Sequence, residues 1–173
     1  MFDIWMRLLQ KVPGSILWLR EYGPGSAALL RQQAQQRGMD PGRLVFATQA
    51  PLEIHLARHA LADLFLDTLP YGAHATAADA LWAGLPVLTL LGEVYPGRVG
   101  ASLLAAAGLP ELIARSAGDY EALALALARD PARLRHIRET LNAHRATAPL
   151  FDTAGFTRNL ETALVAMLKE KTR

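Results

Sequence analysis

Four short apolar runs punctuate the first half of the chain: Ser15-Ile16-Leu17-Trp18-Leu19, Leu44-Val45-Phe46-Ala47, Leu64-Phe65-Leu66-Asp67 and Pro86-Val87-Leu88-Thr89-Leu90. Their length and their β-branched and aromatic content read as buried strands. Between them lie stretches with helical spacing: Ala27 to Arg37, ended by Gly38; Glu53 to Ala60; Ala75 to Ala83, ended by Gly84; and Gly97 to Ala107, ended by Gly108. A glycine just past a helix supplies the left-handed turn that stops it. Parallel strands need crossover connections, and the crossover helices cover the sheet they connect. The expected fold class is therefore α/β, a parallel sheet with helices on both faces. A helix over Ile4 to Val12 precedes the first strand. Beyond Leu112-Ile113-Ala114 the pattern turns helical, with Asp119 to Ala128 and Pro131 to His144. A last stripe runs through Phe156, Leu160, Leu164 and Leu168, set apart by Ala146-Thr147-Ala148-Pro149.

Composition limits what such a sheet can do. With 173 residues, 51% of them hydrophobic and 20% charged, the chain suits one core of ordinary domain size. Cysteine is absent, which excludes disulfides and thiolate metal sites. The 18 basic and 16 acidic residues leave a formal charge of +2, too even a balance for a dedicated nucleic-acid binder. No run of about 18 apolar residues suggests a membrane span, and Met1-Phe2-Asp3-Ile4-Trp5 lacks a basic leader. A soluble, cytoplasmic protein is expected. The Ala/Leu-rich segment from Glu121 to Ala128 is explained by helix-forming composition.

In an open parallel sheet, ligands bind outside the carboxyl ends of the strands. Two loops there carry polar residues, Thr48 to Arg58 and Asp67 to Asp79. The second has small residues at 72, 73, 75, 77 and 78, which let a ligand approach the backbone, and it leads into a helix amino end suited to an anion. His74 and Thr76 could donate to phosphate oxygens, and Asp79 could hold sugar or ribose hydroxyls. Equally, Thr76 and Asp79 fit helix-start residues that complement the dipole, and His74 fits a cap. In the first loop His55 and Arg58, three apart, share one helix face; stacking on a base or pairing with a carbonyl is one reading, a solvated face the other. Gly92-Glu93, leading to Arg98, lies at the same edge and reads as a turn. The dinucleotide glycine fingerprint, the P-loop lysine signature, metal-ligand spacings and a serine elbow are all missing, so no cofactor and no metal are expected.

Leu66-Asp67-Thr68, the run Gly72-Ala73-His74-Ala75-Thr76-Ala77-Ala78-Asp79-Ala80-Leu81-Trp82-Ala83-Gly84-Leu85-Pro86-Val87, then Gly92-Glu93 and Arg98-Val99, together resemble the C-terminal catalytic lobe of the O-GlcNAc transferase family, SPINDLY-like members included. The likeness runs from Val12-Pro13 and Leu17-Trp18-Leu19 through Ala50-Pro51 and His55 to Pro149-Leu150-Phe151-Asp152. The resemblance implies a GT-B enzyme of two Rossmann-like lobes that is inverting and metal-independent, with UDP-GlcNAc held mainly by this lobe. Residues 1–148 would form the nucleotide-sugar-binding Rossmann-like domain and 149–173 a C-terminal helix of the same lobe. By matching position, the Ala50 backbone, His55 and Arg58 would contact uracil, His74 and Thr76 the diphosphate and sugar, and Asp79 the ribose. Leu52 stands where the family usually has a lysine, and His74-Ala75-Thr76 replaces His-Thr-Thr. The family's essential diphosphate lysine, and the lobe that would receive the protein acceptor, correspond to sequence upstream of Met1. Tetratricopeptide repeats often precede that region.

The expectation is thus the UDP-GlcNAc-binding half of a protein glycosyltransferase, inactive as an isolated fragment. The alternative is a non-catalytic UDP-binding or protein-interaction module; another GT-B enzyme, such as a UDP-sugar epimerase, would show a different acidic pattern around Glu93. Partners expected are the UDP-sugar and a protein acceptor, with no nucleic acid and no membrane. The last helix is expected either to fold onto its own domain or to mediate self-association.

Overall fold

The computed structural model describes residues 1–171. A first helix, α1 (Phe2–Lys11), leads to β1 (Leu17–Arg20), α2 (Ser26–Gln36) and β2 (Leu44–Ala47). There follow α3 (Leu52–Arg58), β3 (Phe65–Leu66), α4 (Ala75–Trp82), β4 (Val87–Leu90), α5 (Val99–Ala106) and β5 (Ile113–Ala114). The chain ends in α6 (Ala117–Arg129), α7 (Pro131–His144) and α8 (Thr153–Lys171). The three expected glycine stops hold: Gly38, Gly84 and Gly108 all have positive φ, between 72° and 81°. Helices α6 and α7 start where side chains replace missing backbone acceptors, Ser116 taking the Asp119 N–H and Asp130 the Arg133 N–H.

Every strand pair is parallel, as the crossover pattern requires, but the strands form two sheets, β1-β2 and β3-β4-β5. Helices cover both faces. On one, α4, α5, α6 and α7 enclose Leu81, Val87, Leu104, Leu127 and Leu141. On the other, α1 and α6 pack Ile4, Leu8, Leu88, Leu90 and Tyr120. The same α1 turns Met6 and Leu9 toward Leu44 of β2 and Leu17 and Leu19 of β1. One helix therefore roofs both sheets. Strand β4 is buried throughout, each fully covered Val or Leu side chain contributing about 1.5–3 kcal/mol. Its odd and even residues enter different cores, which is why it reads as an unbroken apolar run.

Arg7 and Lys11 of α1 clamp Glu121 of α6 at 2.7 and 2.9 Å, and hold its carboxyl down to about 2. Helix α8 starts earlier than Phe156, and of the two outcomes expected for it, packing onto its own domain is not the one seen. From Phe156 to Glu170 every residue is exposed, Phe156 and Leu168 by 65% and 66%. No helix among the described residues is long and apolar enough to cross a membrane.

Candidate functional site

Both polar loops open from strand carboxyl ends, and the second is built around Asp67. Two residues of β3 leave this side chain 2% exposed beneath the turn that follows. In place of a salt bridge, its carboxylate accepts the backbone N–H groups of Thr68 at 2.7 Å and Ala73 at 2.6 Å, and the Thr89 hydroxyl at 2.7 Å. A buried carboxylate is tolerable when its lone pairs are met in this way. The fit requires Gly100 on α5, because a Cβ there would stand 2.5 Å from Asp67 Oδ2. The Tyr120 hydroxyl donates to the Asp67 carbonyl at 2.9 Å, and burial pushes its phenol far above the ordinary range, so it stays a donor. The Trp5 indole N–H leans toward that hydroxyl and opposes the rise, but it is buried without a hydrogen bond of normal geometry.

The turn above Asp67 is tied by Thr68 Oγ1 donating to the Tyr71 carbonyl and by the Gly72 N–H donating to the Pro96 carbonyl, with a cis Leu69–Pro70 bond between them. His74 emerges stacked on Tyr71 (5.0 Å between centroids) and edge-on to Tyr95, its Nε2 3.3 Å from the Pro96 carbonyl. Its side chain caps nothing, so the capping reading of His74 is not what the structure adopts. The Ala77 and Ala78 N–H groups reach the His74 carbonyl, while those of Ala75 and Thr76, at the amino end of α4, precede the helical ladder. Thr76 is exposed and Asp79 half-buried. A cavity of about 420 Å³ is lined by Asp67, Thr68 and the stretch from Tyr71 to Thr76, with Phe65 and Leu66 of β3 and with Tyr22 beyond β1.

In the first loop, Arg58 does not lie free on a solvated face. Its guanidinium sits 2.6 Å from His55 Nδ1 and donates to the Thr48 carbonyl at 3.1 Å. Arginine only donates, so His55 Nδ1 accepts and the neutral ring carries its proton on Nε2. Burial lowers the His55 pKa first, with the His59 and Arg58 charges adding to it and the Asp79 carboxylate opposing. That influence of Asp79, and a smaller one from Arg20, bring the two loops within electrostatic reach. His59, 8% exposed, sits edge-on to the His55 ring at 4.7 Å and its Nδ1 is 2.7 Å from the His55 carbonyl.

The structure thus gathers His74 and Thr76 on the cavity and joins His55 to Arg58 on α3, neither of which lines it; Asp79 is half-buried on α4 and acts on His55 through its charge, and Ala50 is half-buried at the end of the β2 loop. Sequence reasoning missed two residues. Asp67 stands in the Leu66-Asp67-Thr68 motif, and nothing in its spacing announces a buried anchor. Arg20 closes β1, where its guanidinium lies over the Tyr22 ring at 4.9 Å and reaches Gln49 at 3.4 Å; its place at a strand carboxyl end was the available signal. Glu93 and Arg98 are exposed, Arg98 reaching only the Gly92 carbonyl. Among the described residues no group of three or more His, Asp or Glu side chains could hold a metal ion.

Parallel strands, helices on both faces and polar loops gathered at the strand carboxyl ends define a Rossmann-like nucleotide-binding class of lobe. The chain belongs to glycosyl transferase family 41, whose model matches residues 1–160. It is 36% identical over 167 residues to a UDP-N-acetylglucosamine--peptide N-acetylglucosaminyltransferase of Caenorhabditis elegans, covering 96% of this chain and 14% of that protein. A probable enzyme of the same name, SPINDLY of Petunia hybrida, is 35% identical over 170 residues, covering 95% of this chain and 18% of its own length. A mutant of the Thermobaculum terrenum O-GlcNAc transferase superposes with a TM-score of 0.92 at 35% identity, over 98% of this chain and 33% of that one. The chain therefore spans a third or less of each of these relatives.

Proposed function

We propose that this chain is the donor-binding half of an inverting, metal-independent UDP-GlcNAc-dependent protein glycosyltransferase, and that alone it binds donor without turning it over. The observation that carries the reading is the cavity of about 420 Å³ that ends on the amino turn of α4, with His74 and Thr76 on its wall. His55 and the Ala50 backbone would meet the base, Arg58 holding the imidazole in place. Asp79 would accept from ribose hydroxyls. The diphosphate would rest on the Ala75 and Thr76 N–H groups and on His74. These donors are fixed before reaction, so they would stabilise the negative charge that grows on the leaving UDP as the acceptor attacks from the opposite face of the sugar.

The residues lining the cavity include no lysine or arginine. Leaving-group stabilisation would then fall to the α4 backbone N–H groups and His74, with no lysine or arginine on the cavity to meet the developing diphosphate charge, which supports binding without turnover. Calorimetric titration should give a UDP Kd in the range of about 0.1–1 mM, weakened about tenfold each by His55→Ala and Asp79→Ala. No heat at millimolar UDP would sink the donor site. Sustained transfer to an acceptor peptide would sink the claim of inactivity.

A further inference from the structure

His74 is held by one ring nitrogen and offers the other. Its Nε2 lies 3.3 Å from the Pro96 carbonyl, the same oxygen that takes the Gly72 N–H. A carbonyl oxygen only accepts, so Nε2 carries a proton, and in the neutral ring Nδ1 is then a bare lone pair. Among the described residues no protein group meets that Nδ1. Tyr71, stacked at 5.0 Å and 21°, and Tyr95, edge-on at 5.9 Å, hold the plane of the ring, while the Pro96 carbonyl selects which edge faces it. A diphosphate presents acceptors alone. Facing the neutral ring, it would set lone pair against lone pair at Nδ1, and the Nε2 proton is already given to Pro96. His74 is also the one side chain among those lining the cavity that can become positive.

We propose that the donor's diphosphate binds the doubly protonated His74 ring, so that binding takes up a proton. The proton comes from solvent and joins Nδ1 as the ligand enters; Nε2–H stays on the Pro96 carbonyl, and the new Nδ1–H donates to a phosphate oxygen. The inference rests on the donor reading and adds a proton to it. The surroundings favour the cation. The Tyr71 face lies against the ring in cation–π geometry. Asp67 lies beneath the turn with Oδ1 on the Ala73 N–H, Asp79 follows along α4, and Glu93 and Arg98 flank the turn at 94–97, both exposed. Carboxylates thus outnumber the guanidinium around the ring, and the phenols of Tyr71 and Tyr95 complete its titratable neighbours. A charge-assisted bond from Nδ1 strengthens as negative charge grows on the leaving diphosphate, which makes His74 the cation that the cavity wall otherwise lacks.

The probe is UDP-GlcNAc, whose diphosphate is esterified at both ends and so neither gains nor loses a proton near neutrality. Calorimetric titration of the full chain at about pH 7.5, in Tris and in HEPES, which release protons with different heats, should show uptake of about half to one proton per donor. Kd should fall by up to ~10-fold per unit as pH goes from about 8 to about 6.5. His55, kept below the ordinary histidine value chiefly by burial, contributes little over that window. Uridine, which lacks the diphosphate, should bind without uptake. His74→Gln keeps an amide donor for the Pro96 carbonyl; it should weaken UDP-GlcNAc binding about tenfold and abolish both the uptake and the pH dependence. Nitrogen NMR of His74 should show Nε2–H alone in the free chain at about pH 8 and both nitrogens protonated in the complex. Binding without proton uptake, a free ring with its proton on Nδ1, or a pH dependence that survives His74→Gln overturns the inference and leaves the donor reading in place. No heat from UDP-GlcNAc at any of these pH values overturns both.

Discussion

Asp67 carries more of the site than any residue that would touch a ligand. Its carboxylate joins β3, the Thr68–Ala73 turn and Thr89 of β4, so removing it leaves two backbone N–H groups and a hydroxyl buried without acceptors. Asp67→Ala should cost about 3–5 kcal/mol in urea melts, whereas Asp67→Asn, which keeps an acceptor oxygen for the backbone groups, should cost about 1–2 kcal/mol. Equal losses would mean that volume matters and acceptance does not. Sequence legibility fails at this residue for a physical reason: acceptance by a buried oxygen depends on groups six and 22 residues away, and leaves no periodic trace. His55 is the opposite case. Its position was readable, but its state was not, because Arg58 settles the tautomer by donating to Nδ1. A ring held in that form presents Nε2–H as a donor, so it favours a keto oxygen over an amino group and would separate uracil from cytosine.

At the scale of elements, the junction of α1 and α6 is electrostatic at its rim. Glu121, ordinarily near 4.5, is held to about 2 by Arg7 and Lys11. A carboxyl with a depressed folded-state value binds more protons when unfolded, so its contribution is complete above about pH 4.5 and is lost as pH falls toward 2. Glu121→Gln should lower the neutral plateau modestly, since both cations are about half exposed, and leave the stability near pH 2 little changed, so that the acid limb flattens in urea titrations. An unchanged acid limb would remove the clamp from the account. Helix α8 presents Phe156, Leu160, Leu164, Val165, Met167 and Leu168 to solvent on 19 residues. Contiguous apolar surface of that kind drives association, so light scattering should find mass rising with concentration. Leu160→Glu with Leu164→Glu should return the chain to a monomer; a strictly monomeric parent would refute this. The stripe was legible from spacing alone, but spacing does not say what covers it.

For the whole molecule, the crossover pattern was enough to foresee parallel strands, helices on both faces and the approximate span of nearly every element. It could not foresee two sheets, since an apolar run records burial and not which neighbour a strand pairs with. The two sheets are roofed together by one helix, which assigns alternate residues to each. Met6→Ala, at a site 2% exposed on the β1-β2 side, should cost about 2–4 kcal/mol and free the β2 amides to exchange ahead of those in β4; uniform acceleration would show that the halves do not open separately. The same division runs through the binding rim. Arg20, His55 and Arg58 ride with β1 and β2, while His74, Thr76 and Asp79 ride with β3 and β4. A ligand gripping both groups must feel the separation of the halves, and by reciprocity whatever sets that separation tunes the grip. The two sheets then behave as the jaws of a caliper, and affinity becomes a reading of the gap.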